Sequence, residues 1–312
     1  MHTPLKIGTR ESQLAVWQAS LVKDSLQEHG INAELVFIKS EGDIDLKTPL
    51  YEMGVQGIFT KTLDAALLSN RIDIAVHSMK DVPTQLAYGI TQAAVLKRGN
   101  FKDILVKRER SDLDIDESLT SHVSRLTIAT SSIRRKAQWL HRYPNHTIEN
   151  LRGNVNTRLK KVKESNWHGA IFAAAGLERI NLRPENSIEL DWMLPAPSQG
   201  AIMIVCREED NDAKEKCLSL NDSSTALCTK IEKDFLRTLL GGCSTPISAL
   251  AEIEKDELFF KGNILSPDGK QKIEIEKVLP MEMAANIGYT AAKELLEKGG
   301  QEIANSLRNA AK

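Results

Sequence analysis

The chain has 312 residues, 41% hydrophobic and 27% charged, enough to bury ordinary cores in two or three domains. Its formal net charge of -1 lacks the basic excess of a general nucleic-acid binder. No apolar run approaches membrane-spanning length, and the opening M-H-T-P-L-K-I-G-T-R holds no apolar h-region, so a cytoplasmic chain with no membrane or nucleic-acid partner is expected.

Residues 5–9 read as a short strand with Arg10 and Ser12 at its end. A helix follows in which Leu14, Trp17 and Leu21 fall at i, i+3 and i+7 on one apolar face, and Gly30 ends it. With a strand over 33–39, this makes a right-handed crossover unit in a largely parallel sheet. Residues 40–57 have no period, carry Gly42, Pro49, Gly54 and Gly57, and exceed the usual loop length, which suits a lid. A helix over 58–70 turns Leu63, Ala66 and Leu67 inward.

Residues 71–84, R-I-D-I-A-V-H-S-M-K-D-V-P-T, are the stretch around which the chain is organised. Ile72, Ile74 and Val76 alternate with polar or small residues as a strand does. Ser78, Lys80 and Asp81 then follow, and Pro83 forbids further strand or helix. A strand ending this way puts Ser, Lys and Asp at the carboxyl edge of a sheet, where α/β folds collect ligands. The bland alternative is an Asp that only hydrogen-bonds its own turn.

Strands follow over 89–97 and 103–107, with Gly99-Asn100 between them as a candidate hinge. A second strand–helix alternation runs through a strand over 126–130, a helix over 133–143 capped by Ser131-Ser132 and stopped by Pro144, a strand over 147–151, a basic helix over 155–164 and a buried strand over 169–174. Leu194-Pro195-Ala196-Pro197 then recrosses to a strand over 201–206. Two α/β units joined by two crossings form a cleft that can hinge. From about Asp222 the texture changes to a helix over 226–240, the loop Gly241-Gly242-Cys243-Ser244-Thr245-Pro246, three strands and two helices. The expected fold class is α/β, two hinged domains plus a C-terminal α+β domain. Its divisions are 1–98 with 195–218, 103–194 and 222–312.

Six arginines, Arg10, Arg134, Arg135, Arg152, Arg158 and Arg179, each lie just past the carboxyl end of a strand, and those ends share one cleft in a doubly wound sheet. Arginine suits bidentate recognition of carboxylate or phosphate, and Ser131-Ser132 at a helix N-terminus adds anion-binding N–H groups. The implied ligand is a polyanion, a polycarboxylate above all. Any single one of these arginines would otherwise read as solvated helix surface. Of four cysteines, Cys206, Cys217 and Cys228 suit small buried positions, whereas Cys243 sits on a glycine-bounded loop that presents its thiol. No cysteine or histidine has metal-ligand spacing, and phosphate-binding glycine signatures are absent. His77, on the central strand, is expected to make a structural hydrogen bond.

These residues sit in stretches that resemble the porphobilinogen deaminase (hydroxymethylbilane synthase) family. The stretches are G-T-R-E-S-Q-L-A, V-H-S-M-K-D-V-P-T, A-T-S-S-I-R-R-K-A-Q, L-R-G-N-V-N-T-R-L, A-A-A-G-L-E-R, P-A-P-S-Q-G-A and G-G-C-S-T-P, in order over essentially the whole chain. The resemblance implies two domains similar to periplasmic binding proteins. It also implies a dipyrromethane cofactor held as a thioether on Cys243, and condensation of four porphobilinogens with loss of ammonia before hydrolytic release of a linear tetrapyrrole. Asp81 would be catalytic, stabilising positive charge on pyrrole nitrogens and shuttling protons. Lys80, Ser78, Arg134, Arg135 and Ser132 would hold the cofactor, and Arg10, Ser12, Arg152, Arg158, Arg179, Gln199 and Phe59 the substrate. A monomer is implied too. The sequence departs from the family at Gln56, where a lid lysine is usual, and at Ser248 and Leu250, where Gly and Tyr are usual. Two rival functions fit the same residues: a non-catalytic two-lobed anion-binding module, and a transferase using Cys243 directly as nucleophile.

Overall fold

The structure is a computed structural model that describes residues 3–39, 60–108, 125–239 and 245–310. The lid over 40–57, Gln56, Phe59 and Cys243 lie outside the described residues.

Three sheets organise the chain. The first is built from β1 (Leu5–Thr9), β2 (Ala33–Phe37), β3 (Ile74–Ser78), β4 (Ile90–Val95) and β10 (Ile202–Arg207), in the order β2-β1-β3-β10-β4. The second is built from β5 (Asp103–Lys107), β6 (Thr127–Ala129), β7 (Thr147–Glu149), β8 (Gly169–Ala173) and β9 (Ile188–Glu189), in the order β7-β6-β8-β5-β9. The third is the antiparallel set β11 (Ile247–Glu254), β12 (Glu257–Leu265) and β13 (Lys272–Pro280).

The expected largely parallel sheet is corrected to a mixed one. β1 pairs parallel with β2 and β3, but β10 runs antiparallel to both β3 and β4. β10 belongs to the chain on its way back from the second lobe, and it enters between two strands already laid down. The second sheet repeats the pattern, with β5 antiparallel to β8.

Helices α1 (Gln13–Glu28) and α2 (Lys61–Leu68) cover opposite faces of the first sheet. Leu63, Ala66 and Leu67 face inward, as the spacing predicts. In α1 the buried residues are Gln18, Ala19, Val22 and Leu26, not the Leu14–Trp17–Leu21 face, and Leu21 is exposed. That face is apolar for a different reason: Trp17 and Leu21 border a cavity shared with the second lobe. The second sheet carries α3 (Ile133–Arg142) and α4 (Val155–Glu164), with the short α5 (Ala174–Glu178) after β8. α6 (Asn211–Leu218) and α7 (Ser223–Thr238) follow β10, and α8 (Ile287–Leu295) and α9 (Gln301–Ala310) end the chain. No helix among the described residues is long and apolar enough to cross a membrane.

The two crossings run side by side. Gly99 N–H donates to the Gly200 carbonyl at 3.0 Å, and Leu96 N–H to that of Ile202. Gly200 has φ +87°, and a Cβ there would stand 2.7 Å from the Gly99 carbonyl oxygen, so only glycine fits this approach.

Candidate functional site

The site is assembled from strand ends. β3 stops at Ser78, and Met79–Asp81 form one 3-10 turn whose Met79 N–H is held by the Ala201 carbonyl. Lys233 of α7 donates from Nζ to the carbonyls of Val82 (2.8 Å) and Pro83 (3.2 Å), so the C-terminal unit grips the turn from outside. Across the cleft, Ser132 caps α3 by accepting from Arg135 N–H, and Asn154 caps α4 by accepting from Thr157 N–H. Ser131 Oγ accepts from Leu151 N–H at 3.0 Å, which ties the two cap loops together.

These ends enclose one cavity of about 320 Å³. Among the described residues six cations line it, Arg10, Lys80, Arg134, Arg135, Arg152 and Arg158, against one carboxylate, Asp81. Ser12, Ser78, Ser132 and Gln199 also line it. Ser12 caps α1, and Ser78 Oγ accepts from Gln18 Nε2 at 2.9 Å.

Arg134 and Arg135 are clamped rather than extended into solvent. Asp103, the first residue of β5 and fully buried, meets Arg134 Nη2 at 2.7 Å through Oδ2 and Arg135 Nη2 at 2.7 Å through Oδ1. Arg134 Nη1 donates to the Leu194 carbonyl and Arg135 Nη1 to that of Ile171. Burial pushes the Asp103 carboxyl up, but the two guanidiniums outweigh it and hold it down at about 2. Gln199 spans the crossing: its Nε2 donates to Asp103 Oδ1 (2.9 Å) and to the Phe101 carbonyl (2.7 Å), and its Oε1 accepts from Lys80 Nζ (3.3 Å). A polar chain therefore runs from Lys80 in one lobe through Gln199 to the paired arginines of the other. Burial lowers Lys80 to about 8, with Asp81 pulling the other way, and lowers Arg158 to about 10.

Arg179 is the exception among the predicted arginines. It lies outside this cavity, with Nη2 donating to the Gly200 carbonyl at 2.6 Å and its guanidinium 5.8 Å from the Trp17 ring centroid. α5 turns it to the back of the hinge, so the expected place in the carboxylate cleft is corrected. Asp103, Gln18 and Asn154 are additions to the residues expected from the sequence. An acid opening a strand directly after the hinge was the available signal for Asp103, and an Asn one residue before a helix was the signal for Asn154. Cys206, Cys217 and Cys228 are buried free thiols, the last two pushed to about 12 by burial. Ser248, one of the departures, is buried and accepts from Gln138 Nε2 at 3.1 Å, joining β11 to α3.

A cleft between two α/β lobes, lined with guanidinium and ammonium groups around one carboxylate and bordered by a third unit, defines an enzyme-like binder of a polyanionic small molecule. The chain belongs to the porphobilinogen deaminase family. The family model described as "Porphobilinogen deaminase, dipyromethane cofactor binding domain" matches residues 5–215, and "Porphobilinogen deaminase, C-terminal domain" matches residues 226–297. "Porphobilinogen deaminase, chloroplastic" of Oryza sativa subsp. japonica is 40% identical, over 97% of this chain and 86% of the relative. "Porphobilinogen deaminase" of Chlorobium phaeobacteroides is 38% identical over 99% of each. The methionine-binding protein MetQ aligns over 71% of this chain and 91% of its own at 14% identity with a TM-score of 0.43, too distant to argue from, so the architecture rests on the strand orders above.

Proposed function

We propose that the chain is a hydroxymethylbilane synthase. It condenses four porphobilinogen molecules in turn onto a covalently held dipyrromethane, loses one ammonia at each step, and releases the linear tetrapyrrole to water. The observation that carries this reading is a cavity that, among the described residues, six cations line together with Asp81. Every pyrrole of substrate and cofactor brings an acetate and a propionate, and such a donor set suits several carboxylates at once. The cavity volume falls in the range of small-molecule sites, roughly 300–1,000 Å³.

Dipyrromethane, when bound, supplies the primer on which the chain grows. Lys80, Ser78, Arg134, Arg135 and Ser132 hold its carboxylates. Arg10, Ser12, Arg152 and Arg158 hold those of the incoming porphobilinogen, and Gln199 keeps Lys80 and the paired arginines in register across the crossing. Arg179 is left out of the set because it lines a different cavity. Cys243 as the point of attachment and Phe59 as a substrate contact rest on the resemblance of their stretches to the family.

Asp81 has the central task. Departure of ammonia from porphobilinogen leaves an electrophile, and ring coupling builds positive charge on pyrrole nitrogen. The Asp81 carboxylate stabilises that charge and passes the protons that ammonia loss and rearomatisation require. Lys80 and Arg158 hold it in a field of opposite charge. The enzyme is read as a cytoplasmic monomer of three domains, 1–98 with 195–218, 103–194 and 222–312, one to each sheet.

Intact mass of the purified chain tests the reading. A stable adduct is expected on the wild-type chain and none on Cys243→Ala. An unmodified thiol would favour the anion-binding module or the direct Cys243 nucleophile instead, and an adduct that survives Cys243→Ala would remove Cys243 as the point of attachment.

A further inference from the structure

His77 occupies the fourth position of β3, where alternation puts it on the face of Ala75, away from Ile74 and Val76. It lines the cavity yet is only 6% exposed. The structural hydrogen bond expected of it is not found for Nε2, which is buried with no partner among the described residues. Buried polar groups are as a rule satisfied, so a ring nitrogen left open beside a ligand cavity calls for a partner from the ligand.

The charged groups facing it narrow what that partner is. Arg10 approaches from the end of β1 and Lys233 from α7. Burial first, then these two cations, hold the imidazole at about 4, so at neutral pH the ring is uncharged and carries one N–H. The cations lining the cavity that the ring borders attract a carboxylate, and an uncharged imidazole can offer a carboxylate only a hydrogen bond. A half-turn about Cβ–Cγ exchanges ring nitrogens and carbons within the same space, so the arriving partner sets the ring's orientation and tautomer.

We propose that His77 is a ligand-contacting residue, donating a hydrogen bond from its ring N–H to a carboxylate of the bound pyrrole cofactor where β3 borders the cavity. The proposal rests on the function proposed above. It gives the cavity a neutral donor among cations, which fixes the direction of the carboxylate without adding another charge.

Two measurements on the full chain test it. The first compares the wild-type, adduct-bearing protein with Cys243→Ala by NMR of the histidine rings. His77 is expected to stay neutral to about pH 4 without adduct. With adduct its midpoint should rise by about one unit or more, because a carboxylate partner favours imidazolium. The second measures the Tm gained on loading, the difference between each protein and its Cys243→Ala counterpart. His77→Phe should shrink that difference and His77→Gln should restore most of it, whereas a merely structural role would lower both members equally. Identical His77 ring signals with and without adduct, or an undiminished loading gain in His77→Phe, would overturn the proposal. If His77→Phe does not fold, the ring signals of the two other proteins decide alone. Absence of any adduct on the wild-type chain overturns the proposed function and this inference together; an adduct with an indifferent His77 overturns only the inference.

Discussion

Arg98 and Glu232 form a buried ion pair where the three sheets' units meet, with Nη1–Oε1 at 2.6 Å and Nη2–Oε2 at 3.2 Å. Glu232, fully buried on α7, also accepts from Ser198 N–H at 2.6 Å and Ala251 N–H at 2.8 Å. Arg98 in turn donates from Nε to the Gln199 carbonyl at 2.9 Å. One carboxylate thus joins the first crossing, the second crossing and β11, and it fixes the helix that leads into residues 240–244. Replacing Arg98 by Ala leaves Glu232 buried and uncompensated, at a cost of about 3–5 kcal/mol. Urea unfolding of Arg98→Ala should show that loss with and without the cofactor adduct; a shift under 1 kcal/mol in both would mean the pair is not what holds the crossings to α7.

Among the described residues Asp81 is the one carboxylate lining a cavity of cations, and its neighbour Lys80 is engaged by Gln199. Asp81→Asn preserves the shape of the side chain and removes the charge. By comparison with other preorganised electrostatic groups, turnover should fall by about 10²–10³-fold, roughly 3–4 kcal/mol of barrier. The assay is single-turnover consumption of porphobilinogen by protein shown by mass to carry the adduct. Wild-type turnover in that protein would remove Asp81 from its assigned role.

Much of this was legible in the residues because period and punctuation agree. The strand over 74–78 and the turn stopped by Pro83 follow from alternation and proline. What misled was burial of a second kind. Trp17 and Leu21 look like a core face, but they border the cavity between lobes, and no local pattern separates those cases. Arg179 sits past a strand end like the other arginines, yet the short α5 carries it to the hinge, a consequence of where the chain turns and not of the residue itself. Asp103 was hidden because its two partners lie 31 and 32 positions away.

Asp103 makes an acid-stability prediction. Its folded-state value near 2 lies below the ordinary carboxylate value near 4, so its contribution is fully present above about pH 4 and is lost as pH falls through about 2. That contribution is on the order of 2–3 kcal/mol. Asp103→Asn should therefore be destabilised at pH 7 and should show a flatter loss of stability between pH 4 and pH 2 than wild type. Denaturant midpoints across that window measure it. Parallel acid limbs for the two proteins would show that Arg134 and Arg135 do not depend on this carboxylate.

Lys80 makes the opposite prediction in the alkaline range. Burial lowers its folded-state value to about 8, below the ordinary lysine value of 10.5. Below pH 8 the ammonium is protonated in both folded and unfolded chains, and its desolvation cost is fully present. As pH rises from about 8 towards 10.5 the folded chain releases the proton first, so that cost is relieved and stability rises. The cofactor-free Cys243→Ala protein should gain stability through this window, and adding Lys80→Met should abolish the gain while leaving the protein at least as stable at pH 7. In the loaded protein a bound carboxylate near Lys80 favours the ammonium, so the same rise should shrink or vanish. Unfolding midpoints of the three proteins at pH 7, 8.5 and 10 give the comparison, and an equal rise with and without the adduct would place the cofactor's carboxylates away from Lys80.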